Sequence, residues 1–573
     1  MISYIYSFTK LIILSQIIWP TTTFASSPSP FLPTEFNHNI DSNSRAKLSL
    51  SAYSPDVIQL GELQFNLVER SINTINQDPA NSFTAITEAQ SFNVSHWKNE
   101  YLPLLNNIPL KLSGKSLALS ISDDESHFII ASDKETVRFS NTGKRVWAYP
   151  ETIPILATLI SIDKKYVITQ FSNGSVRWQR YSDGTPVFYL YISKQNRDWI
   201  IWSDNGYYDS SSPFFNPLQF KTTNDSRIYS LSQLRYLRFN PEIISSIVAD
   251  NTDSADQVTN TEIDFPDISF TINSSNNVQA CIQSNEQTSF EALIAFNGVT
   301  TQRTSVHRAS SELELNCPYQ FQTVLPRSEQ IRKIGIWAVA KKSQLSTPLD
   351  EKSIATTSTE AASNNTAVLA LNSLNKSADF TSLLNAYHKP VVTMTNLRQL
   401  FNTLNKKPVD SFVFYLAARC EIEANEILFL SERENTFLKL SELKNTLQQL
   451  SPLRSLIAID CSVTNNDLKK SQIKKLIHNF IADTGRSFIG HFISREQSQL
   501  IKKKKSILQT TLLEALGEEA DEDDDLSINS IELINYVEQN LHLKSFEHTG
   551  QTGEIYIHKD HLNRFNLPLK IND

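Results

Sequence analysis

Phe412–Cys420 reads FVFYLAARC, preceded by Asp410 and Ser411 and followed by the acidic segment 421–426. An apolar run closed by two small residues has the form of a buried parallel strand. Open α/β sheets place their chemistry at the carboxyl edge of such strands. What arrives there is Arg419 and then Cys420. Working outward, TAVLAL (366–371), VVTM (391–394), EILFL (426–430), LRSLIAID (453–460) and RSFIGHFI (486–493) are further short apolar runs. Helical patterns at 395–404 and 467–481 separate several of them. This alternation predicts a C-terminal α/β domain, 366–573, with a mostly parallel sheet and helices on both faces.

The rest of the chain has a different texture. Its 573 residues exceed what one core supports and predict several domains. A formal charge of −8 provides no basic footprint, which excludes nucleic acid as a partner class. Only 13 residues are glycine, against a usual level of about 7%, so Asn, Asp and Ser carry most turns.

Residues 1–25 have the form of a signal peptide. Lys10 supplies the positive region, LIILSQIIW (11–19) the apolar run, and Thr23 and Ala25 a small-x-small cleavage pattern. The apolar run is too short for the roughly 20 residues a membrane span needs. The expectation is an exported protein, periplasmic or secreted, with no membrane span in the mature chain. Four cysteines in such a compartment favour disulfides, and none has the spacing of a zinc site.

Residues 26–110 remain unassigned. FIIASDKETVRF from Phe128 and YVITQFSNGSVRW from Tyr166 then repeat a strand–turn–strand unit, which predicts WD-like β blades over 111–215. Two such units do not close a propeller, which needs four or more blades. Either 26–110 supplies more strands or the fan is incomplete. DWIIWSDNGYYDSS (198–211) reads as aromatic core and turn packing, and a helical connector follows at 216–264. An immunoglobulin-like β-sandwich is expected at 265–345, where Asn297-Gly298 suits a two-residue hairpin turn. Cys281 and Cys317 are placed to bridge it. Cys317, however, follows Leu313 and Leu315 on the inward face, whereas Cys281 alternates with Gln279 and Gln283. A Ser/Thr/Ala-rich linker is expected at 346–365.

At the opening stretch a resemblance becomes specific. DSFVFYLAARCEIEANEILFL (410–430) resembles the strand of caspases and metacaspases that ends in Ala-Gly-His-Gly, and LRSLIAIDCSVTNN (453–466) resembles its partner ending in Asp-x-Cys. The segment 507–537 is similar to one that follows the second catalytic strand in bacterial members. DWIIWSDNGYYDSS resembles a segment found after WD-type repeats in bacterial proteins of this kind. The resemblance implies a caspase-like fold, with a His base and a Cys nucleophile at neighbouring strand ends. Carried over residue by residue, the base position holds Arg419 and the nucleophile position Ser462. A guanidinium accepts no proton at any working pH, and a serine needs an adjacent base. The resemblance therefore implies a degenerate site and a pseudopeptidase that acts by binding.

Alternatives stay open. Cys461 is adjacent to the nucleophile position and would serve an active cysteine endopeptidase if the strand end slipped, although a slip by one residue reverses its face. Arg419 beside it would activate the thiol without restoring proteolysis. A purely structural β-module protein is the third reading. In basic-specific members the retained Asp, here Asp460, helps bind Arg or Lys side chains, which implies a protein or peptide partner of basic character. An internal pair with Arg419 is the competing role. His388, His478 and His491 lie outside the base's motif and read as surface or core residues. The family's topology would also make the two strands parallel neighbours, so that Cys420 and Cys461 meet across the former cleft as a disulfide.

Asp521–Glu532 reads DEDDDLSINSIE. Asp521, Asp523, Asp525, Ser527, Asn529 and Glu532 stand at the oxygen-ligand positions of a twelve-residue calcium loop. Leu526 departs from it where a glycine is wanted. The competing reading is an acidic helix start. Calcium is the one ion the sequence suggests; no other cofactor is expected.

Overall fold

The computed structural model describes residues 48–51, 56–74, 82–193, 197–215, 217–221, 228–249, 265–273, 276–308, 317–324, 331–354, 366–372, 391–394, 411–423, 425–430, 436–448, 454–464, 470–494, 506–523, 525, 527–549, 553–560 and 566–568. The expected signal peptide, the helix at 395–404, His388, Leu526 and most of the expected linker lie outside them. The chain divides into two compact units, and the described residues through Tyr189 belong to the first and those from Leu190 onward to the second.

The first unit is all β. Leu48–Ser51, Val57–Leu60, Leu63–Asn66, Ser71–Thr74 and Ser82–Phe83 form an antiparallel sheet, so the unassigned region does contribute strands. Each repeat forms the hairpin its pattern predicts: His127–Ser132 with Glu135–Ser140, and Tyr166–Phe171 with Val176–Arg180. The repeats are tied by polar groups. Arg177 and Glu151 form a buried ion pair, Thr136 Oγ1 donates to Glu151 at 2.5 Å, and Trp147 Nε1 donates to the Tyr181 carbonyl at 2.9 Å. No closed propeller forms among the described residues.

In the second unit, Asp267–Ile272, Asn277–Gln283 and Tyr319–Val324 form one sheet, and Phe290–Phe296, Val299–Val306, Lys333–Ala340 and Asp350–Ser353 another. Ile268, Phe270, Ile294 and Ile336 share a single core between them, which makes the pair a sandwich. The Asn297-Gly298 turn has φ of 49° and 87°, as a type I′ hairpin requires. The expected linker begins later than its composition indicates, because Asp350–Ser353 is an edge strand. Lys352 lies over the Phe270 ring at 4.5 Å and Asp350 accepts from the Phe270 N–H. Charged residues suit such an edge, where they deter further pairing.

The C-terminal sheet places Val391–Met394, Thr366–Asn372, Ser411–Glu423, Arg454–Val463 and Ser487–Ser494 side by side and parallel, with Glu554–His558 antiparallel at the far side. Alternation sorts the central strands onto two apolar layers. Phe412, Phe414, Leu416, Ile457 and Ile459 pack with the helices Leu440–Gln448 and Lys470–Thr484. Val413, Tyr415, Leu456 and Ala458 pack with Ile507–Glu514 and Ser530–Thr549.

Sandwich and sheet meet closely. Gly485 has φ of 65°, and a Cβ there would strike the Gly298 carbonyl oxygen, so only glycine fits. The 198–211 stretch forms the hairpin Trp199–Ser203 with Tyr208–Ser210. Its aromatics do more than fill a turn, since Lys474 of the Lys470–Thr484 helix lies over Trp199 at 4.3 Å and pairs with Asp209 at 2.6 Å. His478, one turn on, stacks on Phe239 at 4.6 Å between ring centres.

Candidate functional site

The Ser411–Glu423 strand does not stop where its chemistry was expected. Beyond the parallel stretch it continues as one arm of a hairpin, with Arg419 opposite Leu430 and Glu423 opposite Glu426. The acidic segment is therefore part of a β ribbon. Ile422 is buried while Glu423 faces solvent, an alternation that sustains the strand.

The register pairs Ala417 with Asp460, Ala418 with Cys461 and Arg419 with Ser462. Arg419 is exposed and Ser462 half-buried, so the two stand side by side at the accessible end of the central strands. Cys461, between Asp460 and Ser462, faces the opposite layer, where it packs with Leu416, Ile459 and Phe480. There it is bonded to Cys420 with Cα atoms 5.9 Å apart. The bridge thus lies in the core on the other side of the sheet from Asp460 and Ser462. This corrects the expectation of a bridge across the former cleft. The physical reason is the two-residue period of a strand, which gives Cys420, Ala418 and Cys461 one face and Ala417, Asp460 and Ser462 the other.

Asp460 also differs from its expected roles. Its partners are Tyr415 and His491, with Tyr415 Oη donating at 3.3 Å and His491 Nδ1 at 3.2 Å. Arg419 stands two residues farther along and pairs in register with Ser462 instead. Asp460 is 5% exposed, so its carboxylate is spent inside the fold rather than presented to a basic peptide. The Tyr415 hydroxyl also meets Ser506 Oγ at 3.2 Å. Burial, and then the Asp460 charge, push that hydroxyl well above its usual range, which keeps it a donor.

His491 is the residue that sequence reading set aside as one of three motif-free histidines. Its position opposite Asp460 across Arg454–Val463 and Ser487–Ser494 depends on register, for which RSFIGHFI holds no signal. The result is a His–Asp–Tyr row on three adjacent strands. Chemically it resembles half of a triad. The imidazole is fully buried, however, and its Nε2 lacks a hydrogen-bond partner among the described residues. A Cβ on Gly553 would come within 3.0 Å of that nitrogen, so the backbone of the C-terminal strand's approach covers it. A base needs hydrogen-bond reach to the proton it takes, and this histidine is shut in.

In the acidic loop, ligand atoms of Asp521, Asp523 and Asp525 lie within 4.8 Å of one another. Ser527 Oγ donates to Asp525 Oδ1 at 2.6 Å. Asn529 caps the Ser530–Thr549 helix by accepting from Ile531 and Glu532 N–H groups, and Glu532 accepts from the Asn529 N–H at 2.8 Å. Of the six expected ligands, Asp521, Asp523 and Asp525 cluster, whereas Asn529 and Glu532 form a capping box with the helix start. Burial, together with the charges of Asp523, Asp521 and Asp525, raises the Glu532 carboxyl above its usual range. In the sandwich, Cys281 and Cys317 are bonded with Cα atoms 5.6 Å apart. The conflict of faces disappears because the strand begins at Tyr319, so Cys317 precedes it and is not bound by its alternation.

No known family matches the chain, and no curated protein does. Among solved structures, one of Kluyveromyces lactis Hsv2p matches 32% of this chain and 71% of its own at 10% identity, with a TM-score of 0.17. One of U3-55K matches 28% and 58% at 9% identity, with a TM-score of 0.15.

Proposed function

We propose that this chain is an exported, caspase-like pseudopeptidase that binds a protein or peptide and does not cleave it. The observation that carries the reading is the pair at the end of the central strands: Arg419 beside Ser462, where the resembling family has its base and nucleophile. A positively charged guanidinium and an unactivated hydroxyl supply neither role. The buried disulfide of Cys461 weighs against the displaced-nucleophile alternative, because a bonded sulfur has no thiolate to attack with.

Purified mature protein should leave Arg-, Lys- and Asp-directed peptide substrates intact, with or without calcium. Turnover that disappears in Cys461→Ala would establish the cysteine endopeptidase instead.

A further inference from the structure

Several of the ties between the segment 199–248 and the Lys470–Thr484 helix are groups that carry or can take charge. Lys474 lies over Trp199 and pairs with Asp209, Asp483 accepts from Tyr236 Oη at 2.5 Å and faces Arg235 at 3.6 Å, and His478 stacks on Phe239. The helix Pro241–Val248 packs on the Trp199–Ser210 hairpin and on Lys470–Thr484. The segment also holds itself together. The Tyr208 and Phe239 rings are 5.4 Å apart, the Asn240 N–H donates to the Tyr208 carbonyl at 2.9 Å, and Arg238 lies over Tyr207 at 5.1 Å. Tyrosine and arginine titrate far above neutrality, so these internal contacts do not change with mild acid.

Of the groups in the interface, His478 titrates nearest neutrality. Its ring is 4% exposed and lies against Phe239 with an angle of 4° between the planes. The crevice beside it, lined by Tyr208, Arg235 and Phe239, measures about 10 Å³, which is room for about one water. Lys474 precedes it by one helical turn, and Arg235 and His558 add to the positive surroundings. Against them stands the Ser211 backbone, which accepts from the ring. The carboxylates of the interface are taken, Asp209 by Lys474, and Asp483 by Tyr236, Lys444 and Arg235. An imidazolium here would be buried among cations with no solvent shell, which is costly.

We propose that His478 is a proton-operated latch, and that mild acid releases the segment 199–248 from the Lys470–Thr484 helix as one piece. The docked ring stays neutral, because burial and then Lys474 push its pKa well down, whereas the released ring takes up a proton near pH 6.5. Docking is therefore fully favourable above that pH and weakens as the pH falls below it. One proton makes the released population rise about tenfold between pH 7.5 and 5.5. The latch is independent of the strand-end reading above and does not use Arg419, Asp460 or Ser462.

Hydrogen exchange of the full chain, read by mass spectrometry and corrected for the intrinsic pH dependence of exchange, tests it. Peptides from 199–248 and 470–484 should lose about tenfold in protection over that range. They should be less protected than the sandwich strand Phe290–Phe296 at every pH, and their opening should be insensitive to dilute urea, as an event that exposes little surface is. His478→Phe keeps a ring against Phe239 and takes no proton, so its protection should not change between these pH values. A pH response retained in His478→Phe overturns the proposal. So does equal protection and equal urea sensitivity in the segment and the sandwich, which would mean global unfolding. The parent protein is decisive even where the variant does not fold: opening that begins only near the carboxylate range, about pH 4.3, overturns the latch.

Discussion

Cys420 and Cys461 show how a single residue's environment depends on which face of a strand it occupies. Both are fully buried and sit among Leu416, Ile459 and Phe480, where a free thiol would behave as a small hydrophobe. Bonding them closes a loop with a sequence separation of 41. In the chain-entropy account that restricts the unfolded state and contributes about 2–4 kcal/mol. Replacing both by alanine should lower the unfolding free energy of the C-terminal domain, read from urea denaturation, by an amount of that order. Mass spectrometry of unreduced peptides should return 420 and 461 linked. Two free thiols in protein taken from an oxidising compartment would remove the staple and return Cys461 to consideration as a reactive group.

The acidic loop and its helix form the element with the clearest electrostatic stress. Glu532 is held near three aspartates, and its folded pKa is raised. Its charged form is therefore disfavoured in the folded state. Stability is lost as pH rises from the ordinary carboxylate value, about 4.3, through the raised one, and it is regained on acidification. Glu532→Gln keeps an acceptor for the Asn529 N–H and removes the charge. It should raise the thermal midpoint at neutral pH, with the difference vanishing below the ordinary carboxylate pKa. Calcium bound by Asp521, Asp523 and Asp525 would relieve the same repulsion. Millimolar calcium should then raise the midpoint of the parent protein, because a ligand of the folded state stabilises it. It should do so less in Glu532→Gln and not at all in Asp521→Ala. No shift with calcium would leave the capping box as the loop's whole role.

On the scale of the molecule, the second unit is held together by contacts onto one helix, Lys470–Thr484. Trp199 and Asp209 engage Lys474, Phe239 stacks on His478, and Tyr236 donates to Asp483. Burial, followed by the charge of Lys474, pushes the His478 imidazole well below its usual pKa. The folded state therefore resists protonating it, while the unfolded chain takes up the proton near pH 6.5. The sign follows: His478 costs nothing above that pH, and stability falls progressively as the pH drops below it. His478→Gln should flatten the pH dependence of unfolding between about pH 6.5 and 5. An unchanged slope would show that the acid sensitivity of this unit arises elsewhere.

Local pattern was sufficient for many elements but not for all: the expected helical connector at 216–264 opens with an antiparallel hairpin of Gln219–Lys221 and Ile228–Ser230. The apolar runs of the C-terminal domain, the two strand–turn–strand repeats and the Asn297-Gly298 hairpin all read directly from spacing, because burial selects side chains with the period of the element. The sequence also determined that Arg419 and Ser462, rather than a histidine and a cysteine, stand where the caspase resemblance places its chemistry. It did not show the strand continuing past Arg419, since EIE suits a turn or a ribbon equally. The partners of Asp460 depended on parallel register between strands joined through distant crossovers. No local signal sets that register; the packing of helices on both faces does. For the same reason His491 looked idle, the Cys420–Cys461 bridge was expected on the wrong side of the sheet, and the aromatics of 198–211 looked like turn filling. Only the tertiary structure decided which face each side chain received and what lay across from it.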